Sequence, residues 1–148
     1  MNRHFVEMLA ALSDAGADFL VIGAHALAAH GYARGTRDLD IWVRPTPQNA
    51  ERVWRALVEF GAPLQQFTIE DLSSPGTICQ IGVEPARIDL LTEPAGVNFD
   101  ESWKRRINVA VKGREFPFIG RGDLIASKRA AGRPNDFRDI EELERLPQ

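Results

Sequence analysis

Asp38-Leu39-Asp40-Ile41-Trp42-Val43 sets two aspartates into a run whose other residues favour a β-strand. Side chains alternate along an extended chain, so Leu39, Ile41 and Val43 share one face while Asp38, Asp40 and Trp42 share the other. Both carboxylates therefore point the same way, about 6.6 Å apart along the strand. At an effective dielectric of about 20 they repel by roughly 2.5 kcal/mol. A cation held between them turns that penalty into attraction, whereas on an open sheet edge water screens it and the pair means nothing. The flanking sequence has to decide between the two.

Upstream, Phe19 to Ile22 reads as a second strand, and Gly23 opens a short alanine-rich helix through His30 that Gly31 ends. The first N–H groups of that helix lack partners within it and suit a phosphate. Downstream, Arg87-Ile88-Asp89-Leu90 lies in a strand expected over 86–91, with Ile88 and Leu90 facing the core and Asp89 facing away. Three carboxylates on neighbouring strands beside an anion-accepting turn suit a hard cation and phosphates. Oxygen-only ligands favour magnesium or manganese over zinc. The case fails if Asp89 points away from the other two, or if an arginine already neutralises all three.

The rest of the chain reads around this centre. Phe5, Met8, Leu9 and Leu12 recur at helical spacing before Gly16. Thr46 caps a helix that starts at Pro47 and carries Ala50, Val53, Leu57 and Phe60 before Gly61. The stretch 63–76 reads as a loop, 77–83 as a strand turning at Glu84-Pro85 into the Asp89 strand, and 106–111 with 115–119 as a hairpin around Gly113. Helices over 122–131 and after Pro134 close the chain, the second carrying Phe137, Ile140 and Leu143. The expected fold class is α/β (α+β): a single domain over 1–148, with a small mixed β-sheet, helices packed mainly on one face, and the acidic site on the other face or at its rim.

Composition narrows the function classes. One cysteine, Cys79, makes no internal disulfide and no zinc knuckle. A net charge of -3 argues against a surface that coats nucleic acid throughout. No apolar run is long enough for a membrane span and no signal-peptide pattern follows Met1, which makes the expected location cytoplasmic and excludes a membrane partner.

Taken in order, Val21-Ile22-Gly23-Ala24, then Asp38-Leu39-Asp40-Ile41, then Arg87-Ile88-Asp89-Leu90 resemble the strand, turn, helix, Asp-x-Asp strand and later single Asp of the DNA polymerase beta-type nucleotidyltransferase superfamily. Within it, the run from His30-Gly31 through Arg34-Gly35-Thr36 to Asp38-Leu39-Asp40 is similar to small bacterial nucleotidyltransferases related to AbiEii-type abortive-infection toxins, as is the closing Lys128, Arg133, Asp136, Asp139 pattern. The resemblance covers about residues 18–143. It implies transfer of a nucleoside monophosphate from a nucleoside triphosphate such as ATP, with pyrophosphate released. Asp38, Asp40 and Asp89 would hold Mg2+ or Mn2+ and form the catalytic set. Gly23, Ala24, Arg34, Thr36 and Lys128 would contact nucleotide or phosphate. The acceptor stays open among protein, RNA and small molecule, the setting among toxin–antitoxin and abortive-infection pairs, and a homodimer or partner protein would complete the site.

Ala24 departs from the family turn, where a Gly or Ser is usual; the backbone N–H survives but a serine hydroxyl does not. That difference keeps open an alternative, a catalytically weak or inactive nucleotide- or partner-binding module of the same fold. For Lys128 the alternative is a solvated helix face, for Asp89 a strand aspartate satisfied by Arg87, and for Arg133, Asp136 and Asp139 a set of ion pairs with one another. His25 and His30 are five apart, not the i, i+4 of a helical metal pair, and read as packed or capping side chains. The lack of a histidine beside the aspartates also argues against a metal-dependent phosphodiesterase. Trp42 shares the aspartate face and reads as core or as a pocket wall bordering a base.

Overall fold

The computed structural model describes residues 1–35 and 38–147. Its elements run α1 (Arg3–Asp14), β1 (Phe19–Ile22), α2 (Gly23–Ala29), β2 (Asp38–Val43), α3 (Pro47–Phe60), β3 (Ile78–Ile81), β4 (Arg87–Leu91), α4 (Phe99–Lys104), β5 (Ile107–Val111), β6 (Arg114–Phe118), α5 (Arg121–Ala131) and α6 (Pro134–Arg145), with one 3-10 turn at Ile69–Ser73. The strands form one mixed α+β sheet in the order β3-β4-β2-β1-β6-β5. β2 runs antiparallel to β1 and parallel to β4, so the Asp-x-Asp strand is interior and not an edge.

Burial explains that placement. Leu39 and Ile41 are fully buried, and with Val43 they form the core side of β2, while Asp38 and Asp40 are only partly covered. α1 and α3 pack on each other and contribute Phe5, Met8, Leu9, Leu12, Val53 and Leu57 to the same core. α5 packs on α6 at the acidic side of the sheet.

One polar device ties the frame together. Asn49, buried at the start of α3, accepts from the Asp18 N–H at 2.8 Å and donates to the Asp18 carbonyl at 2.9 Å and the Arg44 carbonyl at 3.0 Å. It thereby joins the entry to β1, the exit from β2 and α3 through three part-buried hydrogen bonds. Thr46 caps α3 as expected, its hydroxyl accepting from Asn49 N–H, and Gly61 ends the helix in the left-handed conformation.

Two elements differ from the sequence reading. The stretch 63–76 contains the 3-10 turn, anchored by Leu72 in the core and by Thr68 and Asp71 hydrogen-bonding each other's backbone. α4 has only six residues; its apolar side, Phe99 and Trp103, stacks beside Trp42 and Arg44. Among the described residues no helix is long and apolar enough to cross a membrane.

Candidate active site

The parallel register of β2 and β4 sets Asp40 directly opposite Asp89 and Asp38 opposite Arg87. All three aspartates therefore rise from one face of adjacent strands, as the alternation in the sequence requires. On the other flank β1 brings Ile22 opposite Asp40, so Gly23 begins α2 immediately beside that carboxylate. Gly23 has φ +71°, a conformation that disfavours a side chain, and a Cβ built there runs into the Asp40 carboxylate and comes within 3.1 Å of its Cβ. Glycine is the residue that lets the turn approach the carboxylate this closely.

Crowding shows in the proton affinities. Burial, then Asp89, then Asp38 push the Asp40 carboxyl up from 3.8 to about 6. Burial also raises the Asp89 carboxyl, against the pull of Arg87. The two carboxyls face each other across the register, an arrangement that favours a shared proton. Asp89 Oδ1 is buried and accepts no hydrogen bond among the described residues.

Arg87 is the partial counter-ion. Its Nη2 donates to Asp38 at 2.7 Å and its Nε stands 3.4 Å from Asp89 Oδ1. Arg87 thus serves two of the three carboxylates, and the Asp40 carboxyl stays raised with it in place. Among the described residues no three acidic, imidazole or thiol side chains already converge into a cation cage. The donor set nevertheless fits a hard divalent cation: oxygen-only and crowded, with the buried Asp89 Oδ1 accepting no hydrogen bond among the described residues.

Two hollows meet at these carboxylates. The larger, about 910 Å³, is lined by Gly23, Ala24, Arg34, Lys128 and Arg133 together with Asp38 and Asp40. The smaller, about 390 Å³, shares Asp38 and Asp40, adds Asp89 and Arg87, and is walled by Ile78, Leu91, Pro94 and Ala95. The sequence-predicted residues Gly23, Ala24, Arg34, Asp38, Asp40, Asp89 and Lys128 are therefore brought to one place. Thr36 lies outside the described residues.

Other expectations are met in part. Lys128 is not on a solvated face: its side chain is 11% exposed and its Nζ lies 2.9 Å from Asp139 and 3.7 Å from Asp136. Arg133 does pair with Asp136, at 2.7 Å, but Asp139 takes Lys128 and Arg34 instead. Burial works against the charge on Asp136, yet the side-chain and backbone hydrogen bonds of Arg133 hold its carboxyl below the ordinary range. Trp42 is core: it is 1% exposed, donates to the Thr92 carbonyl at 3.3 Å and meets Phe99 edge-on. His30 is structural, its Nε2 2.8 Å from the Ile119 carbonyl, and His25 packs edge-on against Phe5. Sequence reasoning missed Gln80, which lies opposite Asp89 in the β3–β4 register and lines the smaller hollow; a polar residue between Cys79 and Ile81 was the available signal.

The fold has close counterparts among solved structures. The lincosamide antibiotic adenylyltransferase LnuA, solved with lincomycin bound, matches with a TM-score of 0.65 at 14% identity over 99% of this chain and 98% of that one. TM1012 of Thermotoga maritima matches with a TM-score of 0.64 at 16% identity over 95% and 89%. The antibiotic-resistance factor ANT(2'')-Ia matches with a TM-score of 0.62 at 14% identity over 95% and 79%. No curated protein matches the chain by sequence. A family model described as a nucleotidyltransferase of unknown function (DUF6036) matches residues 4–146, nearly the whole length, and the chain belongs to that nucleotidyltransferase family.

Proposed function

We propose that this chain, acting as one nucleotidyltransferase domain in the cytoplasm, moves a nucleoside monophosphate from a nucleoside triphosphate to a hydroxyl acceptor. The observation that carries the reading is Asp40 in register with Asp89, its carboxyl forced up to about 6, at the mouth of a cleft edged by cations. Asp38, Asp40 and Asp89 would hold Mg2+ or Mn2+, which when bound neutralises charge on the triphosphate and on the attacking and leaving oxygens. The triphosphate lies in the larger hollow, with the backbone of Gly23 and Ala24 on one side and Arg34 and Lys128 on the other; Thr36 joins this set on the resemblance alone. Arg87 keeps Asp38 and Asp89 compatible with each other until a stronger cation arrives.

In the transfer, the acceptor hydroxyl oxygen bonds to the α-phosphorus, the bond to the β-phosphate oxygen breaks, and pyrophosphate leaves. The hydroxyl proton passes to the Asp89 carboxylate. An acceptor enters through the smaller hollow, where Ile78, Leu91, Pro94 and Ala95 offer an apolar side opposite the charged groups. The antibiotic adenylyltransferase of like fold makes ATP the first nucleotide to test and small molecules the first acceptors. A setting in a toxin–antitoxin or abortive-infection pair, with a second copy or partner protein beside the acceptor side, rests on the family resemblance.

Calorimetric titration with Mg2+ and each nucleoside triphosphate, followed by a pyrophosphate-release assay, tests the reading. Binding and release in the wild type, both lost in Asp40→Asn, support it; removing such charge stabilisation costs at least ~2.7 kcal/mol, about a hundredfold in rate. Binding without release favours the second reading, a nucleotide- or partner-binding module, for which Ala24 and the Arg87–Asp38 pair speak.

A further inference from the structure

Arg34 and Lys128 reach the larger hollow from distant parts of the chain, one from the segment after α2 and the other from α5. A single carboxylate joins them. Asp139 on α6 is 2% exposed, and its Oδ2 accepts from Lys128 Nζ at 2.9 Å and from Arg34 Nη2 at 3.1 Å. Asp136, one turn earlier, takes Arg133 at 2.7 Å and stands 3.7 Å from Lys128. The buried side of α6 therefore presents two carboxylates whose partners all line the hollow that faces Asp38 and Asp40.

We propose that Asp139 is a positioning residue, which holds the Lys128 ammonium and the Arg34 guanidinium side by side at the cleft edge to receive the triphosphate. The inference rests on the proposed function for the identity of that ligand. Two physical points carry it. Cations sharing one carboxylate oxygen would repel and separate without it. Lysine and arginine also carry large rotamer freedom, so fixing both before the ligand arrives removes an ordering cost from binding. A pair that only stapled α5 to α6 would not need Arg34, which comes from neither helix and whose side chain is 38% exposed. Asp139 remains paired when the ligand binds, because a carboxylate offers acceptor sites enough to keep both donors while their other N–H groups turn to phosphate oxygens.

The test is the dissociation constant for Mg2+ with α,β-methylene-ATP, measured calorimetrically on wild type, Asp139→Asn, Lys128→Gln, Arg34→Gln and the Asp139→Asn/Lys128→Gln double variant. Circular dichroism fixes a temperature at which each is folded. The expected result is a tenfold or greater loss of affinity in Asp139→Asn, with the double variant losing less than the two single losses together, since Asp139 acts in part through that lysine and in part through Arg34. A folded Asp139→Asn that melts lower but binds within twofold of wild type has lost only a staple, and overturns the inference. So does full additivity in the double variant. If Asp139→Asn does not fold, unaltered binding in both Lys128→Gln and Arg34→Gln overturns it as well. A wild type that binds no analogue at all overturns the proposed function instead, a distinct outcome.

Discussion

Asp40→Asn should make the metal-free protein more stable at neutral pH while removing its function. The wild-type carboxyl titrates at about 6 in the fold against 3.8 ordinarily, because it is buried beside Asp89 and Asp38. With the folded value above the unfolded one, the native state binds more protons between those two pH values, so stability falls as pH rises through that window. Below about pH 4 the penalty is absent; above about pH 7 it is complete. At about 1.4 kcal/mol per pKa unit it approaches 3 kcal/mol at pH 8 and about half of that at pH 5. Asparagine keeps the shape without the charge and escapes the penalty. At about 2 to 4 °C per kcal/mol, the variant should melt about 5 °C or more above wild type at pH 8, and the gap should shrink at pH 5. Scanning calorimetry in EDTA at the two pH values measures it. A variant that melts at or below wild type at pH 8, or a gap that does not change with pH, would refute the claim that Asp40 is held in charge strain.

Arg87→Gln removes the internal counter-ion from Asp38 and Asp89. It should lower the melting temperature in EDTA, and added Mg2+ should raise it further than in wild type; equal Mg2+ responses would contradict a shared place. Gly23→Ala incurs both the left-handed strain and the collision with Asp40, whereas Gly16→Ala, at φ +72° with open space around it, incurs only the strain. Thermal melts should therefore put Gly23→Ala well below Gly16→Ala, and nucleotide transfer should fall only in the former. Leu39→Ala, at a fully buried position of β2, should cost about 2–5 kcal/mol in a denaturant titration. Asn49→Ala strands the Asp18 N–H, while the Asp18 and Arg44 carbonyls keep the N–H groups of Arg44 and Thr46, and should cost about 1–3 kcal/mol without touching the site.

Local rules carried far along this chain. β1 follows from a continuous apolar run, β2 from alternation and the capped start of α3 from Thr46 and Pro47, because those signals lie within a few residues of their effects. α4 escaped such rules because six residues are too few for a helical period to show, and tertiary contact with Trp42 and Arg44 holds it. In the same way, the 3-10 turn owes its place to Leu72 reaching the core.

By itself the sequence determined that Asp38 and Asp40 share a face, that a glycine turn precedes them and that Asp89 sits on a later strand, since each is a matter of strand period or chain order. Tertiary structure alone decided that β4 pairs with β2 in parallel so that Asp89 meets Asp40, that Arg87 lands on Asp38, and that Asp139 gathers Lys128 and Arg34. Lys128 and Asp139 are 11 positions apart on successive helices, and the other meetings join residues roughly 50 to 100 positions apart, where no local periodicity reaches and only sheet register and helix packing choose the partner.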